Sequence, residues 1–196
     1  SLRAKLAPAR ARDSGHTTRL QERAGGATVI SGANSGASLR SMPARYLFLD
    51  EVDAYPAELE GEGDPISLAE ARTTTFPRRK VFLVSTPTIE SLSRINKEWL
   101  ASDQRRYHVP CPHCGHQQHL TWDNLRWPKD RPEEAVYHCA DCGAGIEEHH
   151  KTRLLAAGQW VATYPERPVA GFHINGLYTP TGLGYTWGEL AALWIE

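Results

Sequence analysis

The sequence predicts an α/β fold that carries a small cysteine module and leads into a further α/β region. Three observations predict it. Two continuous apolar runs, "RYLFLD" (45–50) and "KVFLVSTP" (80–87), flank a segment of helical spacing. Two C-x₂-C pairs with 24 intervening residues lie among short strand-like runs. A strand-and-turn segment, "VAGFHINGLYTP" (169–180), precedes a final helical pattern, "TWGELAALWIE" (186–196). Strands alternating with helices favour a sheet with helices packed on it.

The bulk numbers set limits. Hydrophobic residues are 40% of the 196 and charged residues 23%, ordinary for a soluble globular chain. The length suits one domain, or one domain plus a small module. No apolar run approaches the roughly 18 residues of a membrane span, and no secretory signal is visible, so no membrane partner is expected. A net charge of −1 argues neither for nor against a nucleic-acid partner. The sequence starts at Ser1, its only methionine is Met42, and it stops inside "ELAALWIE". A segment of a longer parent is therefore expected.

The elements follow in order. Residues 1–23 carry six Lys/Arg against two acids and read as a solvated terminus. "ATVI" (27–30) is a short strand, and "SGANSGASLRS" (31–41) is a loop opening a short helix at Ala37. "RYLFLD" is the kind of strand buried on both faces. "ELEGEGDP" (58–65) is an acidic loop. "ISLAEARTTTF" (66–76) is a helix ending before Pro77, and "KVFLVSTP" is a second buried strand. "ESLSRINKEWLAS" (90–102) has helical spacing through Leu92, Ile95, Trp99 and Leu100. A cysteine module spans about 108–148. "HHKTRLLAAGQW" (149–160) is a helix closed by Gly158, and Thr186 is the N-cap of the last helix.

The first strand ends in adjacent acids, Asp50 and Glu51. In open α/β sheets ligands bind at the carboxyl ends of strands. Neighbouring strand residues face opposite ways, so the two carboxylates need not compete. One can hold Mg²⁺, which prefers oxygen; the next can orient and deprotonate a water. That is a Walker B arrangement with a catalytic glutamate. A strand followed by "DE" can equally open a solvated turn. The second strand ends in Ser85, Thr86 and Pro87, whose hydroxyls can sense a γ-phosphate or simply cap a turn.

All four cysteines fall in "CPHCG" and "CADCG": Cys111, Cys114, Cys139 and Cys142. Four thiolates at this spacing make a closed structural Zn²⁺ site. Two disulfides are the competing reading. A chain without an export signal stays in a reducing compartment, where disulfides are rare. "HLTWDNLRW" (119–127) and "AVYHC" (135–139) would supply the strands of a zinc ribbon. His113, His116, His138, His149 and His150 are read as non-ligands because four cysteines fill the shell. Arg105, Arg106, Lys129 and Arg131 beside Trp122 and Trp127 allow DNA contact, or form a mixed solvated surface.

The ordered blocks "GANSGASLRSMPARYLFLDEVDAYP", "GEGDPISLAEARTTTF", "VFLVSTPTIESLSRINKEW", "DQRRYHVPCPHCGHQQHLTWDNLRW" and "AGFHINGLYTP" resemble the large terminase subunit of lambda-like tailed phages, the GpA-type family. The resemblance runs from about residue 25 onward. It implies an ATP-driven motor that packages double-stranded DNA into a procapsid in the host bacterial cytoplasm. It also implies a metal-dependent endonuclease that cuts the concatemer.

By that resemblance the fold is part of a P-loop, ASCE-type parallel sheet, followed by a zinc ribbon. Asp50 is then the Walker B aspartate that binds Mg²⁺ and ATP, Glu51 the catalytic glutamate, and Ser85–Thr86–Pro87 the coupling motif. Arg72 and Arg94 sit in matching blocks and could approach phosphates; pairing with Asp53 or Glu70 is the competing role. Implied partners are a small terminase subunit, the portal of the procapsid, and further copies of the same chain. The implied organisation is 1–104 as the C-terminal part of the ATPase domain, 105–150 as zinc ribbon, and 151–196 as connector to a nuclease domain.

The sequence contains no G-x-x-x-x-G-K-[ST]. By itself it is therefore expected not to hydrolyse ATP or cut DNA well. Two other readings stay open: a zinc-ribbon DNA-binding module with an incidental acid pair, and a fragment of a helicase-like ATPase.

Overall fold

The computed structural model describes residues 20–195 other than 24, 41, 60, 62 and 90. Most of the basic segment expected as a solvated terminus lies outside the described residues. The chain divides after Ile95 into two compact units.

The first unit opens with an antiparallel hairpin, β1 (Leu20–Arg23) and β2 (Gly26–Val29), so the last residues of that basic segment are strand. The short helix α1 (Gly36–Arg40) follows, starting one residue before the expected Ala37. Strand β3 (Tyr46–Asp50) and strand β4 (Lys80–Val84) pair in parallel, with Tyr46 opposite Lys80 and Asp50 opposite Val84. Between them lies α2 (Pro65–Ala71). Its start is chemically specified: the Asp64 carboxylate accepts from Ser67 N–H at 2.9 Å, and Pro65 occupies the first turn, where no N–H is needed. It stops five residues short of the expected Phe76. Thr73 and Thr74 donate their hydroxyls back to the carbonyls of Glu70 and Ala71 at 2.7 and 2.8 Å and close the helix with side chains.

Leu49, Val52 and Ala69 form the buried centre of this unit, packed by Leu39, Leu47, Ile66, Leu83 and Ile95. The expectation that both strands are buried on two faces is not met. Side chains alternate along each strand, and only the Leu47/Leu49/Leu83 side meets the core. Phe48 and Phe82 sit side by side on the other face, 76% and 50% exposed. Among the described residues the β3–β4 sheet has only these two strands.

Helix α3 (Arg94–Ala101) begins four residues later than the spacing suggested. The chain before it is a turn in which Leu92 and Ser93 N–H both bond the carbonyl of Ile89, at 2.9 and 2.8 Å.

The second unit is built on β5 (Arg105–Pro110). It pairs antiparallel with β6 (Gln117–His119) and β10 (Gln159–Ala162), and parallel with β11 (Phe172–His173). A second, antiparallel sheet has the order β7 (Leu125–Arg126), β8 (Val136–His138), β9 (Gly145–Ile146). Helices α4 (Lys151–Ala156) and α5 (Trp187–Ile195) complete it.

The helix expected over 149–160 is shorter because Gln159 and Trp160 are taken into β10, opposite His108 and Tyr107. Gly158 does not end it through a left-handed turn. Glycine is required there because any Cβ would collide with the Tyr107 ring. Thr186 caps α5 as expected, and the cap is reciprocal. Thr186 Oγ1 accepts from Glu189 N–H at 3.1 Å, and Glu189 accepts from Thr186 N–H at 2.7 Å.

One cluster fills this unit: Val109, Leu120, Leu125, Tyr137, Ile146, Leu154, Leu177, Tyr178, Trp187 and Ala191, with Cys111 and Cys139 among them. The cysteine segment therefore shares its core with the helices that follow it. Tyr178 ties β5 to the residue that follows β6. Its hydroxyl accepts from Leu120 N–H at 2.5 Å and donates to the Tyr107 carbonyl at 2.6 Å. Burial pushes that hydroxyl up to about 12, so it stays a neutral donor. Tyr178→Phe would take a partner from the buried Leu120 N–H and from the part-buried Tyr107 carbonyl and is expected to cost about 1–3 kcal/mol. Urea denaturation of the chain measures this; no loss would mean that water replaces the hydroxyl.

Candidate functional site

Parallel pairing at this register brings the predicted residues to one edge. Asp50 is the last residue of β3 and stands opposite Val84, the last of β4. Glu51, Ser85, Thr86 and Pro87 follow directly at that same carboxyl edge. Asp50 and Glu51 are both exposed. Glu51 is held in the left-handed region at φ 55°, ψ 46°, the N-terminal residue of a tight turn over Val52–Ala54. A non-glycine residue there carries strain on the order of 1–3 kcal/mol, which the surroundings must hold in place. Ala54 N–H bonds the Glu51 carbonyl at 2.9 Å. The buried Val52 pins the turn to the core. Burial, and then the Asp50 charge, push the neighbouring Tyr55 phenol above its ordinary range.

Sequence reasoning missed Asp53 as part of this edge. Its backbone N–H donates to Ser85 Oγ at 3.2 Å. Its carboxylate accepts from Thr88 N–H and Oγ1 at 3.0 and 3.2 Å and from Ile95 N–H at 2.9 Å. Burial opposes ionisation, yet these bonds and one from the Ser93 hydroxyl hold the carboxyl below the usual carboxylate range. The signal was a third acid, three residues after the first, in "DEVD".

The arginines are engaged with the fold. Arg94 donates to the carbonyls of Tyr55 and Pro56 at 3.5 and 2.8 Å and pairs with Asp64 at 3.3 Å, not with Asp53. Arg72 donates to the Arg40 carbonyl at 3.2 Å and so braces the end of α1.

In the second unit the four cysteine sulfurs lie within 4.8 Å of one another, and all four are free thiols. Cys111 and Cys142 are 3.9 Å apart, Cys114 and Cys139 3.8 Å. Four sulfurs bonded to zinc at about 2.3 Å would stand about 3.8 Å apart, so the cluster has the size of a zinc tetrahedron. Gly115 and Gly143, at φ 77° and 70°, make the turn after each pair, where a side chain would be strained. Burial raises the Cys139 thiol, but N–H bonds from Cys142 and Asp141 bring it down to about 6. His113 and His138 meet the carbonyls of Gly145 and Gly143 through ring nitrogens. Of the cations expected beside Trp122 and Trp127, Arg105 pairs with Asp103 at 2.7 Å and lies over the Phe172 ring, Arg106 lies over the Trp99 ring, and Arg131 pairs with Glu134 at 2.7 Å.

A mixed α/β unit with acids and hydroxyls at the carboxyl edge of parallel strands, and a β-rich unit with four clustered cysteines, together delimit the class. The model of the family "Phage terminase large subunit gpA, ATPase domain" matches residues 1–160, and the chain belongs to that family. The ATPase domain of that family implies a P-loop-type fold. The chain is 28% identical over 175 residues to the large terminase subunit of Enterobacteria phage P21, covering 75% of this chain and 26% of that protein. It is 32% identical over 97 residues to the large terminase subunit of Escherichia phage lambda, covering 46% and 15%. No solved structure matches it.

Arg94→Ala is expected to lower the stability of the chain by about 1–3 kcal/mol, because it frees two carbonyls and a carboxylate. Chemical denaturation measures it. Unchanged stability with lost turnover in a parent protein would instead put Arg94 on the substrate.

Proposed function

We propose that this chain is part of the ATPase motor of a large terminase subunit, which drives double-stranded viral DNA into a procapsid. One observation carries the reading: Asp50, Glu51, Ser85 and Thr86 share the carboxyl edge of two parallel strands in a chain of the gpA ATPase family. An exposed aspartate at a strand end suits Mg²⁺, which takes one or two carboxylates and keeps its waters. When bound, such an ion would neutralise charge on the transferring phosphoryl group. Asp50 would hold it. Glu51 orients the attacking water and takes its proton. Ser85 and Thr86 respond to the terminal phosphate, and the rigid Pro87 passes their movement to the next loop.

The phosphate-cradling lysine loop would come from elsewhere in the parent protein, as would the endonuclease that cuts the concatemer. The chain spans about a quarter or less of the relatives it matches, so turnover is a property of the parent. Partners of that parent would be double-stranded DNA, a small terminase subunit, the portal, and further copies of the same subunit, in the host cytoplasm. Among the described residues no helix is long and apolar enough to cross a membrane.

In the parent, Glu51→Gln is expected to abolish ATP turnover while nucleotide affinity stays within about twofold, since only proton transfer is removed. Retained turnover removes Glu51 from the mechanism. Cys111, Cys114, Cys139 and Cys142 are assigned to a structural Zn²⁺. Elemental analysis should return about one zinc per chain. Chelation should then melt the second unit as a whole, followed by circular dichroism, because its core is continuous. A folded, metal-free chain sinks the assignment.

A further inference from the structure

We infer that Asp53 is a positioning residue for ATP turnover: it locks the turn bearing Glu51 onto the tail of β4 and the first turn of α3, and so sets the aim of Glu51. This rests on the motor reading above.

The geometry is unusual for a residue in a three-residue turn. One side chain and one N–H join the turn after β3 to two stretches 32 to 42 residues further on: the loop after β4 at Ser85 and Thr88, and the start of α3 at Ile95. Ile95 N–H is one of the orphan donors of a helix N-terminus, so Asp53 also caps α3 from outside. The other ties within the turn are local: Ala54 N–H to the Glu51 carbonyl and Tyr55 N–H to the Val52 carbonyl. They fold the turn but do not fix it to β4.

Asp53 does not act on the reaction itself. Both carboxylate oxygens already accept protein donors, which leaves little capacity for a metal or a water. What it controls is Glu51, whose left-handed backbone lies two residues away and is unfavourable unless held. If the Asp53 ties are cut, Glu51 can relax into an ordinary backbone region, and its carboxylate swings away. The same ties make the link mechanical in the other direction. Any displacement of Ser85 or Thr88 pulls on the turn that carries Glu51.

Asparagine cannot substitute. Four donors converge on two oxygens, the N–H groups of Thr88 and Ile95 and the hydroxyls of Thr88 and Ser93, and an amide would turn its NH₂ toward a backbone N–H. Misplacing a catalytic group by about an ångström costs up to about a hundredfold in rate.

The test uses the full-length parent, with Glu51→Gln as reference. Asp53→Asn is expected to lower kcat by about tenfold to a hundredfold while KM for ATP and equilibrium nucleotide affinity stay within about twofold. Thr88→Val, which removes one donor and keeps the N–H, should lower kcat by a few-fold, and Thr88→Ser should restore it. Wild-type kcat in Asp53→Asn overturns the inference, as does a loss of ATP binding in step with kcat. If Asp53→Asn does not fold, the Thr88 pair decides: an unchanged kcat in Thr88→Val overturns it. If Glu51→Gln retains turnover, the motor reading fails and this inference falls with it. If Glu51→Gln is dead while Asp53→Asn is active, only the positioning role is lost.

Discussion

The constraint on which the first unit depends is the in-register parallel pairing of two five-residue strands. A parallel ladder has one sense, so both carboxyl ends must emerge on the same edge. Asp50 therefore meets the end of β4 without any further device. A slip of one residue would turn Leu47 and Leu49 outward and carry the acids to the wrong face. The apolar side of the sheet, packed on Val52, Ala69 and Ile66, is what forbids that slip. Burial on one face thus sets the chemistry available at the tip.

Much of this was legible from the residues. Continuous apolar runs ending in acids or hydroxyls located both strands and the edge they share. The two C-x₂-C pairs located the sulfur cluster, because their spacing already carries the geometry. The Thr186 cap was readable from a hydroxyl ahead of an apolar pattern. Other features depend on tertiary contacts that no local pattern encodes. That Phe48 faces solvent follows from which side of the sheet α2 and the core residues occupy. The early end of α2 comes from threonine hydroxyls competing for its carbonyls, and the late start of α3 from a turn at Ile89. The partners of Arg94 and Asp53 lie 30 to 42 residues away in sequence.

The second unit shows why a cysteine motif alone misjudges independence. Spacing suggests a self-contained module over residues 105–150. In fact Cys111 and Cys139 belong to a buried cluster that also contains Leu154, Leu177 and Trp187. Lys151 is joined to the same region. Its buried ammonium pairs with Glu148 at 2.9 Å and lies over the Trp187 ring, and Glu148 accepts from Trp187 N–H at 2.9 Å. A buried cation so placed is costly unless its partner stays. The helices after the cysteines are therefore structural partners of the ribbon-like strands.

The left-handed backbone at Glu51 has one more implication, for anyone seeking hardier versions of such proteins. Screens that reward thermal tolerance favour relief of local strain, and this position offers relief to glycine or asparagine. A library sorted on heat resistance alone would tend to discard the acid and keep a sturdier protein. Under the role proposed for Glu51, only selection on both heat resistance and ATP turnover of the parent protein would retain it.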